Sequence, residues 1–242
     1  SARPAVCESQ DDEPLFLHRY PGIVNVYLEN DLFANRDQDY TSGFKGAWVS
    51  PNLSDFSADR CLPPWLRAAS RYLTRLHPGP KNDQYDRRNV VFTLAQAMFT
   101  PGDRTRTDLI VNDRPYTGLA TLGFAYNARN DWQMDTFEIN LGMVGPGSGA
   151  RQAQNAIHRL RKFELFQGWD NQIPNELAFL ATYERKHKWF QTPISRGLDY
   201  DVITHAGISL GNVRTSVNAG GEARIGFNIP DDFGTSPIRP AG

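Results

Sequence analysis

Residues 118–144 read GLATLGFAYNARNDWQMDTFEINLGMV, and the alternation in this stretch decides the fold. Phe137, Ile139, Leu141 and Met143 fall on one side of an extended chain, while Glu138, Asn140 and Gly142 fall on the other. The preceding run, Gly118 to Ala128, is joined to it by Ala128-Arg129-Asn130-Asp131, a turn tight enough to make the pair an antiparallel hairpin.

The same period of two recurs in both directions from this hairpin. It predicts strands over Ile23–Leu32, Gly43–Ser50, Asn89–Phe99, Gly118–Ala128 and Trp132–Val144, then over Glu176–Trp189, Tyr200–Leu210 and Arg214–Asn228. The fold class is therefore all-β and antiparallel. Two segments depart from the pattern. From Pro64 to Leu76 apolar residues recur at helical spacing, with Arg67, Arg71 and Arg75 on the other side, so the segment reads as a basic amphipathic helix that packs on the sheet or lies on a membrane surface. From Ala150 to Leu165, after the breaker Gly145-Pro146-Gly147-Ser148-Gly149, a second helix places Gln154 and His158 four residues apart on one face. Its predicted packing stripe is Ile157, Leu160 and Phe163.

Composition narrows the class. The 242 residues suffice for a single core or barrel. A formal net charge of -1 and dispersed Arg residues argue against a general nucleic-acid binder. No stretch approaches the roughly 18 consecutive apolar residues of a membrane-spanning helix, yet a transmembrane β-barrel passes that filter because its strands alternate. Trp48, Trp132 and Trp189 near strand ends favour such a barrel, with an interfacial girdle, over a soluble β-sandwich. The chain begins at Ser1 without an apolar leader, which leaves the compartment open. Cys7 and Cys61 lack the neighbours of a zinc site and could pair in an oxidising compartment.

The polar cluster that closes the first strand is the candidate for chemistry. Asn30 and Asp31 end it and Thr41 and Ser42 open the next, an arrangement suited to a cation or polar substrate and equally to an Asx-type turn. A histidine on a loop-borne helix reads either as a structural residue or as a base that activates water. Ser42, His158 and Asp31 also compose a possible nucleophilic triad, although Thr-Ser-Gly at a strand start lacks the nucleophile-elbow context.

Several motifs, in order along nearly the whole chain, resemble the lipid A 3'-O-deacylase family: Glu29-Asn30-Asp31-Leu32-Phe33, Asp39-Tyr40-Thr41-Ser42-Gly43, Asn112-Asp113-Arg114-Pro115-Tyr116, Val144-Gly145-Pro146, Gln154 to His158 and Gly168-Trp169-Asp170-Asn171-Gln172. The resemblance implies a twelve-stranded antiparallel barrel of the Gram-negative outer membrane, of which about eight strands are expected here and the C-terminal ones are expected to be absent. It implies hydrolysis of the ester-linked 3'-acyloxyacyl group of lipid A, with the site toward the outer leaflet, and a divalent cation, Ca2+.

Carried over by position, His158 is the base, and Asn30, Asp31 and Thr41 bind or orient cation and substrate. Gln154 and Glu164 match further active-site positions, and Asn30, Asp31 and Glu164 are the expected metal ligands. Arg104 and Arg106 are the candidates for lipid A phosphate, with Ser42 beside the substrate. The expected partners are lipopolysaccharide and the outer membrane, with no nucleic acid and no protein partner. Residues 1–22 are expected as a periplasmic arm and 53–88 as a long periplasmic connection, so Cys7 and Cys61 fall on one side and are expected to form a disulfide. Strand parity gathers the loops containing Asn35–Tyr40, Thr100–Tyr116 and Gly145–Asn175 at one rim. A noncatalytic barrel that binds lipopolysaccharide at that rim is the alternative.

Overall fold

The computed structural model describes residues 22–30, 42–53, 64–73, 85–195 and 198–234, with residues 29–30, 42, 66, 69–70, 72–73 and 192–195 described by backbone alone. Eight strands form one sheet: β1 (Ile23–Asn30), β2 (Ser42–Val49), β3 (Arg87–Phe99), β4 (Thr117–Arg129), β5 (Gln133–Val144), β6 (Glu176–Ser195), β7 (Leu198–Gly211) and β8 (Ser216–Phe227). Their order is β1 to β8 without a crossover, and each pairs antiparallel with its sequence neighbours. The outer edges of β1 and β8 have no partner strand among the described residues.

The register shows why the alternation reads as it does. Val26, Leu94, Leu122, Leu141 and Phe179 fall on one cross-strand row. All five are exposed. Residues of the intervening rows, among them Asn25, Thr93, Asn140, Thr182 and Glu184, line a cavity of about 380 Å³ on the concave side. An apolar convex face, with the polar side chains gathered on the concave side among smaller and apolar ones, is the reverse of a soluble sheet and suits a wall whose outside meets hydrocarbon. No helix among the described residues is long and apolar enough to cross a membrane.

The strands lie close to their predicted spans, with one difference. β6 continues past Trp189 to Ser195, because register shifts at Lys188/Phe190 and Pro193/Ser195 absorb the break in alternation and the missing Pro193 donor. Trp132 and Trp189 are exposed at the end of the sheet away from the long loop between β5 and β6.

The helices are α1 (Pro64–Leu73) and α2 (Ala150–Arg161). Trp65 and Arg71 of α1 are exposed. Cys7, Cys61, most of the 1–22 arm and much of the 53–88 connection lie outside the described residues.

After β8 the chain reverses at Asn228 (φ 51°) and crosses the end of the sheet opposite α2. Lys186 Nζ donates to the Phe233 carbonyl at 3.1 Å and Lys188 Nζ donates to Asp231 Oδ1 at 2.8 Å, while Arg224 binds both Asp201 and Asp232. Phe233 and Lys188 are buried by this crossing. A buried ammonium is tolerated only with such partners.

Candidate active site

The loop from β5 to β6 rises as a turn at Pro146–Ser148, continues as α2 and returns through a second turn at Trp169–Asn171. Its base is fixed to the strand ends. Gly145 N–H donates to the Gly118 carbonyl at 2.8 Å, and Gln96 Nε2 donates to the Ser148 carbonyl at 2.6 Å. Gly118 is required by space: a Cβ there would lie 2.1 Å from Ser148 Oγ and 2.4 Å from the Ala150 methyl.

The face of α2 that packs is not the predicted one. Ile157, Leu160 and Phe163 are exposed, Leu160 at 85%, whereas Ala150, Gln154 and His158 are buried. Small and polar side chains turn inward at i, i+4 and i+8, and Ala150 joins Met98, Tyr116, Phe166 and Trp169 in a buried cluster. Gly168 lets this cluster close, since a Cβ on it would lie 2.5 Å from the Tyr116 ring. Burial pushes the Tyr116 hydroxyl above its ordinary titration range, so it stays protonated.

His158 is held in one orientation. Its Nδ1–H donates to the Glu164 carbonyl at 2.6 Å, and its ring meets Phe163 and Phe166 edge-on at 5.8 and 5.3 Å between centroids. A carbonyl only accepts, so the proton sits on Nδ1 and Nε2 keeps its lone pair. This bond takes the place that Asp31 would need in a triad with Ser42 and His158, and it leaves Nε2 as the ring nitrogen able to accept a proton.

Glu164 thus serves His158 through its backbone, and its side chain is exposed. Gln154, one turn before His158, accepts a hydrogen bond from Trp169 Nε1 at 2.7 Å. Trp169 is fully buried, and in the sequence it stands out only as part of the motif Gly168 to Gln172. The bond between positions 154 and 169 exists only once the second turn has folded back, so periodicity gives no sign of it.

The two arginines of the β3–β4 loop differ. Arg106 is engaged by Asp108 through Nε at 2.9 Å and through a second contact, and that pairing holds the Asp108 carboxyl below its usual range. Arg104 lies over the Phe166 ring at 5.6 Å, the same ring that meets His158. The loop is tied to the β5–β6 loop by Gln167 N–H to the Arg104 carbonyl (3.0 Å) and Asn171 Nδ2 to the Thr107 carbonyl (2.6 Å).

Asn30, Ser42, Met98 and Gly118 occupy one cross-strand row. Strands about 4.8 Å apart put the Asn30 backbone about 10 Å from Met98, which packs with the residues at the base of α2. Asp31, Thr41 and the segment Asn35–Tyr40 lie outside the described residues. Among the described residues no group of three His, Cys, Asp or Glu side chains could hold a metal ion.

A meander with an apolar outer face and its polar side chains on the inner one, with a loop-borne helix anchored at one rim, defines the wall of an outer-membrane β-barrel protein. The chain belongs to the LpxR family: residues 1–242 match the family described as "Outer membrane protein LpxR". Among solved structures it is similar to LpxR from Salmonella typhimurium, at 17% identity and a TM-score of 0.62, over 84% of this chain and 62% of that one. The chain thus spans less than two thirds of that protein's length, and at this identity the likeness carries the fold. No curated protein matches the sequence.

Proposed function

We propose that this protein hydrolyses the ester-linked 3'-acyloxyacyl group of lipid A at the outer-leaflet rim of its barrel. The observation that carries the reading is the Nδ1–H bond from His158 to the Glu164 carbonyl, which leaves a basic Nε2 on a rigid ring beside the strand ends. Membership of an outer-membrane family and the register row that starts at Asn30 support it further.

In this reading Nε2 of His158 takes a proton from water as the water oxygen bonds to the ester carbonyl carbon. The tetrahedral oxyanion collapses, the bond to the sugar oxygen breaks, and that oxygen recovers the proton from the imidazolium. The products are the free acyloxyacyl acid and a 3'-hydroxyl. Asn30 and Asp31, with Thr41 beside them, are the residues we assign to a divalent cation, Ca2+, because hard oxygen donors suit it. Of the three expected ligands, Glu164 is the one whose side chain the structure describes, and its exposure leaves it able to serve. When bound, the ion would supply positive charge for the oxyanion. Arg104 is the residue we assign to lipid A phosphate, because its guanidinium lies over the Phe166 ring that also meets His158.

The test is acyl release from lipopolysaccharide with Ca2+, read by mass spectrometry of lipid A. His158→Ala is expected to lower release by at least about a hundredfold, the lower range for general-base catalysis, with the heat-modifiable gel mobility of the folded barrel unchanged. Release unaffected by this substitution would remove the base. Binding of lipopolysaccharide without turnover in the unaltered protein would favour the noncatalytic barrel.

A further inference from the structure

The face of the sheet that carries α2 follows from register. Leu94 of β3 and Leu122 of β4 pair within the exposed convex row, and Met98 and Gly118 pair four residues nearer the α2 end of the same strands. Side chains alternate along a strand, so an even step stays on one face, and Met98 and the open position over Gly118 also look to the convex side. Met98 packs with Ala150, and a Cβ on Gly118 would strike Ser148 and Ala150. α2 therefore starts on the outside of the wall, about 13 Å along the strands from a row that meets hydrocarbon.

The helix has three distinct sides. Ala150, Gln154 and His158 turn toward the wall. Ala153, Ala156, Ile157 and Leu160 recur at i, i+3, i+4 and i+7 and form an apolar stripe on one flank, where Ile157 is 46% and Leu160 85% exposed. Gln152, Asn155 and Arg159 fall on the opposite flank. The helix holds no acidic residue, and Arg159, Arg161 and Lys162 at its end are all exposed. Arg151, at its start, is taken by Asp170 at 2.6 Å.

We propose that the outer side of α2 is a membrane-docking face for an anionic lipid leaflet. The apolar stripe, with Phe163 beyond it, continues the hydrocarbon-facing surface of the wall and beds among acyl chains, while Arg159, Arg161 and Lys162 meet lipid phosphates. Two observations choose lipid over a protein partner. The helix is seated on the same face of the sheet as the exposed Leu94, Leu122 and Leu141, and the charges of α2 are of one sign. Docked in this way, the loop is held at the level of the lipid headgroups. The inference rests on the barrel wall and is independent of ester hydrolysis.

The test uses the full chain with Cys7→Ser and Cys61→Ser, carrying a polarity-sensitive thiol label at Leu160→Cys or at Gln152→Cys, in phosphatidylcholine vesicles with or without one third phosphatidylglycerol. Heat-modifiable gel mobility confirms that each labelled protein is folded. The Leu160→Cys label is expected to emit at shorter wavelength, to lose most of its emission to bromines high in the acyl chains and to be shielded from aqueous iodide, whereas the Gln152→Cys label is expected to be quenched by iodide. Phosphatidylglycerol is expected to deepen the bromine quenching of the Leu160→Cys label, and the triple substitution Arg159→Gln, Arg161→Gln and Lys162→Gln is expected to abolish that increment.

A Leu160→Cys label as open to iodide as the Gln152→Cys label would overturn the proposal, because α2 then stands in water. Shielding from iodide and from lipid bromines together would overturn it as well, since a protein surface then covers the stripe. Bromine quenching that is indifferent to phosphatidylglycerol, or an increment that survives the triple substitution, would overturn the assignment of the basic residues to lipid phosphate.

Discussion

At the scale of single residues, α2 shows that an apolar stripe is not always the face that packs. Ile157, Leu160 and Phe163 were expected to pack because they are apolar and share a stripe, and they are exposed instead. The inward face carries Ala150, Gln154 and His158 instead, because small and hydrogen-bonding side chains fit the closely packed cluster beneath the helix. The pairing of these two residues was legible from their spacing, but which face would turn inward was not. Leu160→Ser is therefore expected to change the stability of the detergent-solubilised protein by less than about 0.5 kcal/mol, as surface substitutions do. Trp169→Ala, which empties a fully buried site, is expected to cost about 3–5 kcal/mol. Denaturant titration of both variants separates the two environments, and a large effect at Leu160 would contradict its exposed position.

At the scale of elements, all eight strands and both helices were legible, because a barrel strand must alternate and nothing but its register can interrupt it. The extension of β6 was not, since a bulge resets the alternation that the reading depends on. The contact between α2 and the strand ends was equally hidden: it rests on Gly118, a residue that sequence patterning treats as a weak strand former. Gly118→Ala is expected to displace the turn at Pro146–Ser148 and with it the start of α2, because the added carbon would overlap Ser148 and Ala150. Acyl release should fall while the strand content seen by circular dichroism stays the same. Full activity in this variant would show that the helix is not seated through that contact.

At the scale of the whole molecule, the two ends of the sheet are finished differently. One carries the α2 assembly, and the other is crossed by residues 229–234, tied down through Lys186, Lys188 and Arg224. Burial alone would raise the Asp231 carboxyl, and the Lys188 ammonium, with Arg87 and Arg129, outweighs it and holds the group below its usual range. A carboxyl depressed in the folded state stabilises the crossing at pH values above its unfolded pKa of about 4, and that contribution is lost as acid protonates it. Hydrogen exchange of residues 229–234 is accordingly expected to accelerate below about pH 4, and Asp231→Asn should show the fast exchange already at pH 7. Exchange that is insensitive to both changes would place the restraint elsewhere.

The strict neighbour-to-neighbour order of the strands has a consequence for biogenesis. Every ladder closes a short stretch of chain, so the wall can grow hairpin by hairpin, and each added strand finds its template already in place. Among the described residues α2 packs on β3 and β4, and the turn that leads into it packs on β4 and β5, so this corner draws on the middle of the chain and not on its last strands.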